Sequence, residues 1–208
     1  LHLSIRRQRQ MCIRDSPQPD HILGLRRARS ATMAMLALPG AAYLYQGEEL
    51  GLPEHTSLPA EVRQDPAFHR TGGVETGRDG CRVPLPWAAD APACGFSPTG
   101  ASWLPQPEHW AEYAVDAQLG VAGSTLELYR QLLRLRRAHR LGAGSLEWDD
   151  SYAVESVLAW RNGDLHVLVN LGAEPVSVPA GHRVAASSAP LTADGRVPLD
   201  TAVWSVAD

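Results

Sequence analysis

The stretch LALPGAAYLYQGEELGLPE, residues 36–54, decides the fold. It closes an amphipathic run, turns at Pro39-Gly40 and continues through a short apolar segment, residues 41–45. Proline followed by glycine ends a helix, and the segment after them is too short to form another. The apolar segment of residues 41–45 therefore predicts a strand that is buried on both faces, as in parallel sheets. A helix, a tight turn and a doubly buried strand together indicate a repeating βα unit.

Two segments repeat with the period of a helix. Residues 22–38 follow Asp20, a candidate N-cap, and residues 124–140 begin with Ser124, a second candidate. Both carry an apolar face at intervals close to 3.6 residues. The predicted buried positions are Leu25, Ala28, Thr32, Met35 and Leu36 in the first helix and Leu126, Tyr129, Leu132, Leu133 and Leu135 in the second. The predicted solvent face of the second helix holds Arg134, Arg136, Arg137 and Arg140.

Turn chemistry divides the rest of the chain. Residues 52–123 are dense in Pro and Gly and include one predicted short helix, 108–119; a loop of this length is functional or holds short elements. After Gly142 the apolar period changes to two, which predicts a small antiparallel β domain. The predicted strands lie near residues 145–148, 153–160, 165–171, 176–178, 183–187 and 203–206, separated by turns such as Asn162-Gly163-Asp164.

The composition limits the class of function. The 208 residues are 44% hydrophobic and 20% charged, and the net charge of −4 forms no basic stripe for nucleic acid or an anionic membrane. No apolar run reaches the roughly 18 residues that a membrane-spanning helix needs. Cys12, Cys81 and Cys94 are odd in number and lack metal-ligand spacing, which favours reduced thiols and a cytoplasmic location. We expect a small neutral substrate.

The first sixteen residues differ from the rest of the chain in composition and pattern. Residues 1–16, LHLSIRRQRQMCIRDS, show neither a helix nor a strand period. We interpret them as a non-native leader that arose from a sequencing adapter or assembly junction, with a solvated basic tail as the alternative. On this interpretation the natural protein continues upstream of Pro17.

Two adjacent acids follow the predicted strand. Glu48 and Glu49, with Gln46, stand at the carboxyl end of that strand, where α/β folds build their binding sites. Two carboxylates are also the minimal apparatus of glycoside hydrolysis. Neighbouring residues of an extended chain point to opposite sides, however, so both acids cannot act on one bond. We expect one to face a pocket and the other to make a structural contact; the alternative is that both are structural.

The second candidate cluster is GRDGCRVPLPW, residues 77–87. Arg78 and Arg82 flank a turn at Asp79-Gly80, and prolines stiffen the chain before Trp87. Arginine offers a rigid fork of donors for sugar hydroxyls or for a carboxylate, and a Trp ring packs on apolar sugar faces. Solvated surface arginines are the alternative, but the density of Gly, Pro and Trp favours a shaped loop.

Other reactive residue types lack a motif. His55, His69 and His109 do not have the spacing of metal ligands, so ordinary loop histidines are favoured. Cys81 has no partner histidine that would make it reactive. The serines of the long loop, Ser97 and Ser102, sit in no G-x-S-x-G context, and no glycine loop suits a phosphate.

Four strings in this order resemble one known family. The opening stretch, the QDP of residues 64–66, GRDGCRVPLPW, and the SWLPQP of residues 102–107 are similar to the α-glucosidase and oligo-1,6-glucosidase branch of the α-amylase family, glycoside hydrolase family 13. The resemblance implies an α/β plus all-β fold, the C-terminal part of a (β/α)8 TIM barrel followed by a small antiparallel β-sandwich. Residues 17–141 would hold the seventh helix, the eighth strand, the long loop and the eighth helix of the barrel, and residues 142–208 the β-sandwich.

The resemblance also implies a division of roles. The family's nucleophile, acid/base and stabilising Asp lie at the ends of strands four, five and seven, so they would precede Pro17 and this chain alone would be inactive. The family's RDG-x-R arginine near the non-reducing-end glucose falls on Arg78, with Arg82 as second choice. Its strand-eight acid falls on Glu49, and Glu48 and Gln46 would share the pocket wall. No metal or organic cofactor is implied.

The implied parent protein is a retaining α-glucosidase that removes terminal glucose from short oligosaccharides of the maltose or isomaltose type. Two alternatives stay open. One is a transglycosylating or isomerising relative, such as a trehalose synthase or a sucrose-cleaving enzyme. The other is a non-catalytic, glucosidase-like binding subunit. Both the α-1,4 and the α-1,6 linkage stay open as well.

Overall fold

The computed structural model describes residues 20–152 and 155–208, and the predicted leader, residues 1–16, lies outside them. The described residues form two compact units. Residues 45–127 make up one, which we call the loop unit, and residues 20–44 with 128–208 make up the other, the sheet unit. No helix of the described ranges has the length and apolarity to cross a membrane.

Short elements dominate the regular structure of the described residues. The α-helices are α1 (His21–Ala37), α2 (Pro66–Arg70), α3 (Val115–Gln118) and α4 (Thr125–Ala138). The strands are β1 (Glu147–Trp148), β2 (Val157–Asn162), β3 (Leu165–Asn170), β4 (His182–Ser187) and β5 (Thr201–Ala207). Single 3-10 turns lie at Ala60–Val62, Asp79–Cys81, Pro92–Gly95, Glu108–Tyr113, Leu141–Ala143 and Asp150–Tyr152.

Helix α1 forms where the sequence predicts it. Asp20 caps it, because its Oδ1 accepts a hydrogen bond from the backbone N–H of Leu23 at 2.9 Å. The buried face differs from the prediction: Met33 is fully buried, whereas Met35 is only half-buried. Trp204 explains the difference, since its indole N–H donates to the Met33 carbonyl at 3.2 Å and brings that side of the helix against the sheet.

Helix α4 also confirms its predicted cap and most of its predicted face. The Ser124 hydroxyl accepts a hydrogen bond from the N–H of Glu127 at 3.2 Å. Tyr129 and Leu132 are buried, and the Tyr129 hydroxyl is 2.8 Å from that of Thr32. The prediction was wrong for Leu133, which is 43% exposed.

Arg136 corrects the predicted solvent face of α4. Its guanidinium donates hydrogen bonds to the carbonyl oxygens of Leu36, Leu38 and Gly40. These groups belong to the last turn of α1 and the residues after it, where carbonyls lack helical partners. The side chain therefore caps the end of a second helix, a role that the sequence pattern of α4 does not reveal.

The predicted antiparallel strands are present as a five-stranded sheet of order β1-β2-β3-β5-β4. Its neighbouring strands are all antiparallel. The Asn162-Gly163-Asp164 turn joins β2 to β3 as predicted, with Asn162 opposite Leu165. The predicted strand at 176–178 is reduced to one bridge, Val176 with Val197. The prediction near 153–160 lies partly outside the described residues.

Apolar side chains cover both faces of the sheet. One face packs on α1 and α4 through a cluster that includes Met33, Leu132, Trp160 and Trp204. The other face packs on the segments around the Val176 bridge. Strand β3 is consequently buried at every position, because it lies in the middle of a sheet that is covered on both sides.

The loop unit has a small core of its own. Its buried members are Leu50, Leu52, Leu58, Val83, Leu104 and Trp110. The helix predicted at 108–119 is present in two parts, since Ala114, at φ −57° and ψ 151°, separates the 3-10 turn from α3. The Gln118 side chain donates to the carbonyls of Leu50 and Tyr113, at 2.9 and 3.1 Å, and ties the two ends of the unit together.

The predicted buried strand at residues 41–45 is absent. These residues have no regular secondary structure, and Tyr43 and Leu44 are 60% and 40% exposed. A barrel strand forms its hydrogen bonds with neighbours on both sides, and no strand of the described residues pairs with this segment. A short apolar run is therefore not enough to form a strand when no neighbouring strand pairs with it.

Candidate functional site

Charged side chains join two distant segments of the loop unit, residues 63–66 and 77–82. Asp79 is fully buried, and its Oδ2 accepts hydrogen bonds from the backbone N–H groups of Gln64 and Asp65, both at 2.8 Å. Asp65 in turn accepts one from the N–H of Arg78 at 3.0 Å. The QDP and GRDGCR strings therefore form one interlocked loop.

Asp65 is the acid that connects this loop to its arginines. It is 3% exposed, and its Oδ1 caps α2 by accepting from the N–H of Ala67 at 2.9 Å. Its Oδ2 lies 3.4 Å from Arg78 Nε and 3.5 Å from Arg82 Nη1. The hydrogen bond from Ala67 and these arginine contacts lower the pKa of Asp65 in spite of its burial. Its carboxyl group is therefore ionised at neutral pH.

Arg82 lies between two buried carboxylates. Its Nη1 is 3.5 Å from Asp65 Oδ2 and 3.6 Å from Asp79 Oδ1, and the side chain is one-third exposed. Asp79 Oδ1 has no hydrogen-bond partner. These distances describe ion pairs rather than hydrogen bonds. The guanidinium is thus held in place by charge while part of it faces the exterior.

Arg63 stabilises the same loop from within. It is 7% exposed, and its guanidinium donates to the carbonyls of Leu58, Thr76 and Thr56 at 3.1, 2.9 and 3.1 Å. Its charge also lies over the Phe68 ring, 5.5 Å from the centroid. The sequence analysis did not single out Arg63, because nothing in the local pattern distinguishes a buried arginine from a solvated one.

Gly77 allows the two segments to approach each other. Its φ of +72° lies in the left-handed region, and a Cβ at this position would lie 2.5 Å from the Cβ of Asp65. Any other residue at position 77 would therefore displace Asp65, one of the two acids beside Arg82.

A cavity of about 440 Å³ opens beside Arg82. Its volume falls within the roughly 300–1,000 Å³ range of small-molecule sites. Three of its rings are half exposed: Trp87 at 50%, Phe96 at 47% and Trp103 at 51%. The remaining lining residues are Tyr45, Gln46, Pro84 and Leu85. Apolar rings beside a few hydrogen-bonding groups suit a ligand that has both apolar faces and hydroxyl groups, as a sugar does.

The predicted site residues divide into two groups. Gln46 and Arg82 line the cavity. Arg78 does not line it: it pairs with Asp65 and is 56% exposed. The Glu49 carboxylate accepts a hydrogen bond from the N–H of Gly47 at 2.8 Å, which is a local turn contact. Glu48 is half-buried, and it does not line the cavity either.

Sequence reasoning missed three lining residues, Tyr45, Phe96 and Trp103. Tyr45 belongs to the predicted strand and was assigned to packing. Trp103 lies inside the SWLPQP string, where an aromatic residue between a serine and a proline could have indicated an exposed ring. Phe96 follows a 3-10 turn in a segment without any period, and no local signal identifies it.

The loop histidines and cysteines lie apart from any metal-binding arrangement. Within the described ranges, no three His, Cys, Asp or Glu side chains are grouped so that they could hold a metal ion. Burial lowers the pKa of His55, whose ring contacts Trp110 edge-on at 6.3 Å. Cys81 is buried and Cys94 is half-buried, and neither forms a disulfide within the described residues.

Two family matches cover nearly all of the described chain. Residues 16–143 match the family described as "Alpha amylase, catalytic domain", which is more than half of the 208 residues. The chain belongs to the alpha-amylase family. Residues 139–204 match a second family, described as a domain of unknown function, DUF3459. The predicted family, glycoside hydrolase family 13, is confirmed.

The family's curated members include several glucosidases. A probable alpha-glucosidase of Rhizobium meliloti (strain 1021) is 37% identical over 122 residues, which are 58% of this chain and 22% of that protein. The salivary alpha-glucosidase of Anopheles gambiae is 31% identical over 167 residues, 76% of this chain and 27% of that protein. The chain therefore spans about a quarter of the length of these relatives.

Solved members of the alpha-amylase family share the fold. The crystal structure of an alpha-glucosyl transfer enzyme, XgtA, matches with a TM-score of 0.70 and 31% identity, over 92% of this chain and 37% of that one. Trehalulose synthase MutB matches with a TM-score of 0.68 and 22% identity, over 87% of this chain and 38% of that one. A match at this identity shows the fold alone. The alpha-amylase domain is a (β/α)8 barrel, so the predicted fold class is confirmed.

Proposed function

We propose that this chain is the C-terminal part of a retaining α-glucosidase and that it forms part of the wall that holds the glucose unit of a short oligosaccharide. The cavity beside Arg82 carries the proposal, because it combines half-exposed rings with a fixed guanidinium in a member of the alpha-amylase family. The names of the glucosidase relatives support the reaction.

The side chains of this wall have separate tasks in the proposal. Trp87 and Trp103 offer flat apolar surfaces on which the C–H faces of a sugar ring pack. Arg82 and Gln46 supply hydrogen bonds to hydroxyl groups, which would otherwise lose their water partners on binding. Asp65 and Asp79 keep Arg82 in position, so that little conformational entropy is lost when the sugar binds.

The bond-breaking acids are not assigned to this chain. In the proposed parent enzyme one carboxylic acid protonates the glycosidic oxygen, a carboxylate forms a covalent glucosyl intermediate, and water releases the glucose. Glu49 makes a turn contact with Gly47, and neither Glu49 nor Glu48 lines the cavity. Both are proposed as structural residues outside the lining of the cavity.

The decisive experiment compares this chain with the full-length protein in the hydrolysis of p-nitrophenyl α-glucoside, maltose and isomaltose. We expect turnover by the full-length protein and none by residues 1–208 alone. In the full-length protein, Arg82→Ala should raise KM or lower kcat/KM by roughly tenfold or more, because a charged donor to the sugar is lost. Arg78→Ala tests the other arginine of the motif in parallel.

Two results would contradict this function. Turnover by the isolated chain would show that it contains its own catalytic acids. Unchanged kinetics for both arginine variants would remove the sugar-binding role of the loop.

A transglycosylating enzyme is the second candidate, favoured by the 31% identity to the alpha-glucosyl transfer enzyme XgtA over 92% of this chain. Product analysis separates the two candidates. A hydrolase releases free glucose from maltose, whereas a transferase yields longer or isomeric glucosides at high maltose concentration. The cavity wall has the same sugar-binding task in both enzymes.

A further inference from the structure

The charges around Arg82 point to a ligand class that the family match does not specify. Resting on the proposed function, we infer that Asp65 and Asp79 make the cavity selective for uncharged sugars over sugar phosphates. They hold Arg82 as a hydrogen-bond donor and at the same time cancel its positive charge. Both acids are therefore specificity-determining residues, although neither lines the cavity.

The geometry supports a role in charge balance. One guanidinium nitrogen of Arg82 lies 3.5 and 3.6 Å from oxygens of two different carboxylates. Neither contact is short enough to be a hydrogen bond, so the acids act on Arg82 through charge. Asp65 and Asp79 are 3% and 0% exposed, and at such burial the interaction is weakly screened by solvent.

Asp79 carries the clearest indication. Its Oδ2 alone accepts both backbone hydrogen bonds, from Gln64 and Asp65, which hold the loop. Its Oδ1 is buried, lacks a hydrogen-bond partner and faces Arg82. One acceptor oxygen of Asp79 is therefore enough for the two backbone hydrogen bonds, and the second oxygen places negative charge beside the arginine.

The neighbouring arginines do not restore a positive site at the cavity. Arg78 shares the Asp65 carboxylate and does not line the cavity. Arg63 is buried and directs its donors to three carbonyl oxygens of its own loop. An anion that entered the cavity would thus meet one arginine whose charge is already opposed by Asp79 and by the Asp65 carboxylate.

The test uses the full-length protein and three competitive inhibitors: glucose, glucose 1-phosphate and glucose 6-phosphate. The two esters place the phosphate at opposite ends of the sugar. In the wild-type protein we expect glucose to bind at least as tightly as either ester. In Asp79→Asn we expect at least one ester to gain roughly tenfold in affinity relative to glucose, because one negative charge beside Arg82 is removed.

Two further variants complete the test. Asp65→Asn should shift the same ratio in the same direction, and it keeps the proposal testable if Asp79→Asn does not fold. Asp194→Asn is the matched control, because Asp194 forms an exposed ion pair with Arg196 in the sheet unit, 2.7 Å apart, and should leave the ratio unchanged. Added salt should weaken the gain in ester binding, since charge produces it.

The outcomes separate this inference from the proposed function. Tighter binding of an ester than of glucose by the wild-type protein would overturn the inference. So would an equal loss of affinity for all three inhibitors in both Asp variants, which is the result of a purely structural role. Failure of the wild-type protein to turn over any α-glucoside would instead overturn the proposed function. The affinity of each ester relative to that of glucose, measured by binding, would still test the role of the two acids.

Discussion

His166, in β3, is a buried histidine whose surroundings affect its protonation. It is 1% exposed, its Nε2 lies 2.9 Å from Asp149 Oδ2, and its Nδ1 has no hydrogen-bond partner. The rings of Tyr152 and His182 lie within 6 Å of it, at 5.8 and 5.7 Å. Arg161 stands opposite it on β2.

This environment makes the stability of the sheet unit depend on pH. Burial, the main cause, lowers the pKa of His166 although Asp149 opposes the shift. As the pH falls below about 6.5, the unfolded chain binds the proton first and the folded state is destabilised, by up to about 1.4 kcal/mol per pH unit. The pKa of Asp149 is also lowered, chiefly by the Ser151 hydroxyl. The folding stability that Asp149 contributes is therefore lost only below about pH 4.

We therefore expect the melting temperature to fall between pH 7.5 and 5.5, and the fall to be smaller in His166→Gln. The comparison is made within each variant, so that a general loss of stability in His166→Gln does not affect it. His109→Gln, which changes an exposed histidine, is the control. An identical pH dependence in wild type and His166→Gln would show that His166 is not the responsible group.

At the scale of elements, helix α1 is held at its C-terminal end by side chains from two other elements. Arg136 of α4 donates to the carbonyls of Leu36, Leu38 and Gly40. Asn162, at the end of β2, donates to the carbonyls of Ala37 and Leu141 at 2.8 and 3.0 Å. These contacts fix the end of α1 where Pro39 removes the possibility of further helical hydrogen bonds.

We expect Arg136→Gln to lower the free energy of unfolding by about 1–3 kcal/mol, because carbonyl groups lose charged donors in a partly buried site. Arg137→Gln is the control: it changes the neighbouring, exposed arginine of the same helix and should cost under about 0.5 kcal/mol. Urea unfolding followed by circular dichroism measures both variants. Equal effects would indicate that the cap of α1 contributes nothing of its own.

At the scale of the whole molecule, apolar residues stay exposed in the segment that the sequence predicts as a buried strand. Tyr43 and Leu44 are 60% and 40% exposed, and residues 41–45 pair with no strand of the described ranges. Exposed apolar residues in such a segment favour association with another chain.

We accordingly expect the isolated 208-residue chain to self-associate at micromolar concentration in sedimentation velocity experiments. The double variant Tyr43→Ser/Leu44→Ser should shift it toward monomer. Trp148→Ser is the control, because Trp148 is 61% exposed on the edge strand β1 but lies away from this segment in sequence. A monomeric wild-type chain at these concentrations would refute the expectation.

Local patterns were sufficient for much of the fold. The caps Asp20 and Ser124, the two long helices and the Asn162-Gly163-Asp164 hairpin were all predicted correctly. Each of them depends on residues within a few positions of one another, where capping, period and turn preference act directly. The strand at residues 41–45 was wrong for the complementary reason, since a strand exists only through its partners.

The candidate site shows the same division. The sequence by itself determined the family, and it singled out Arg78, Arg82 and Gln46 as candidates, because these residues belong to short strings with recognisable chemistry. Only the tertiary structure decided that Arg82 rather than Arg78 lines the cavity, that Asp65 and Asp79 lie beside Arg82, and that Phe96 and Trp103 line the same cavity. Hydrogen bonds and ion pairs between segments far apart in the chain fix these relations, and no local preference encodes them.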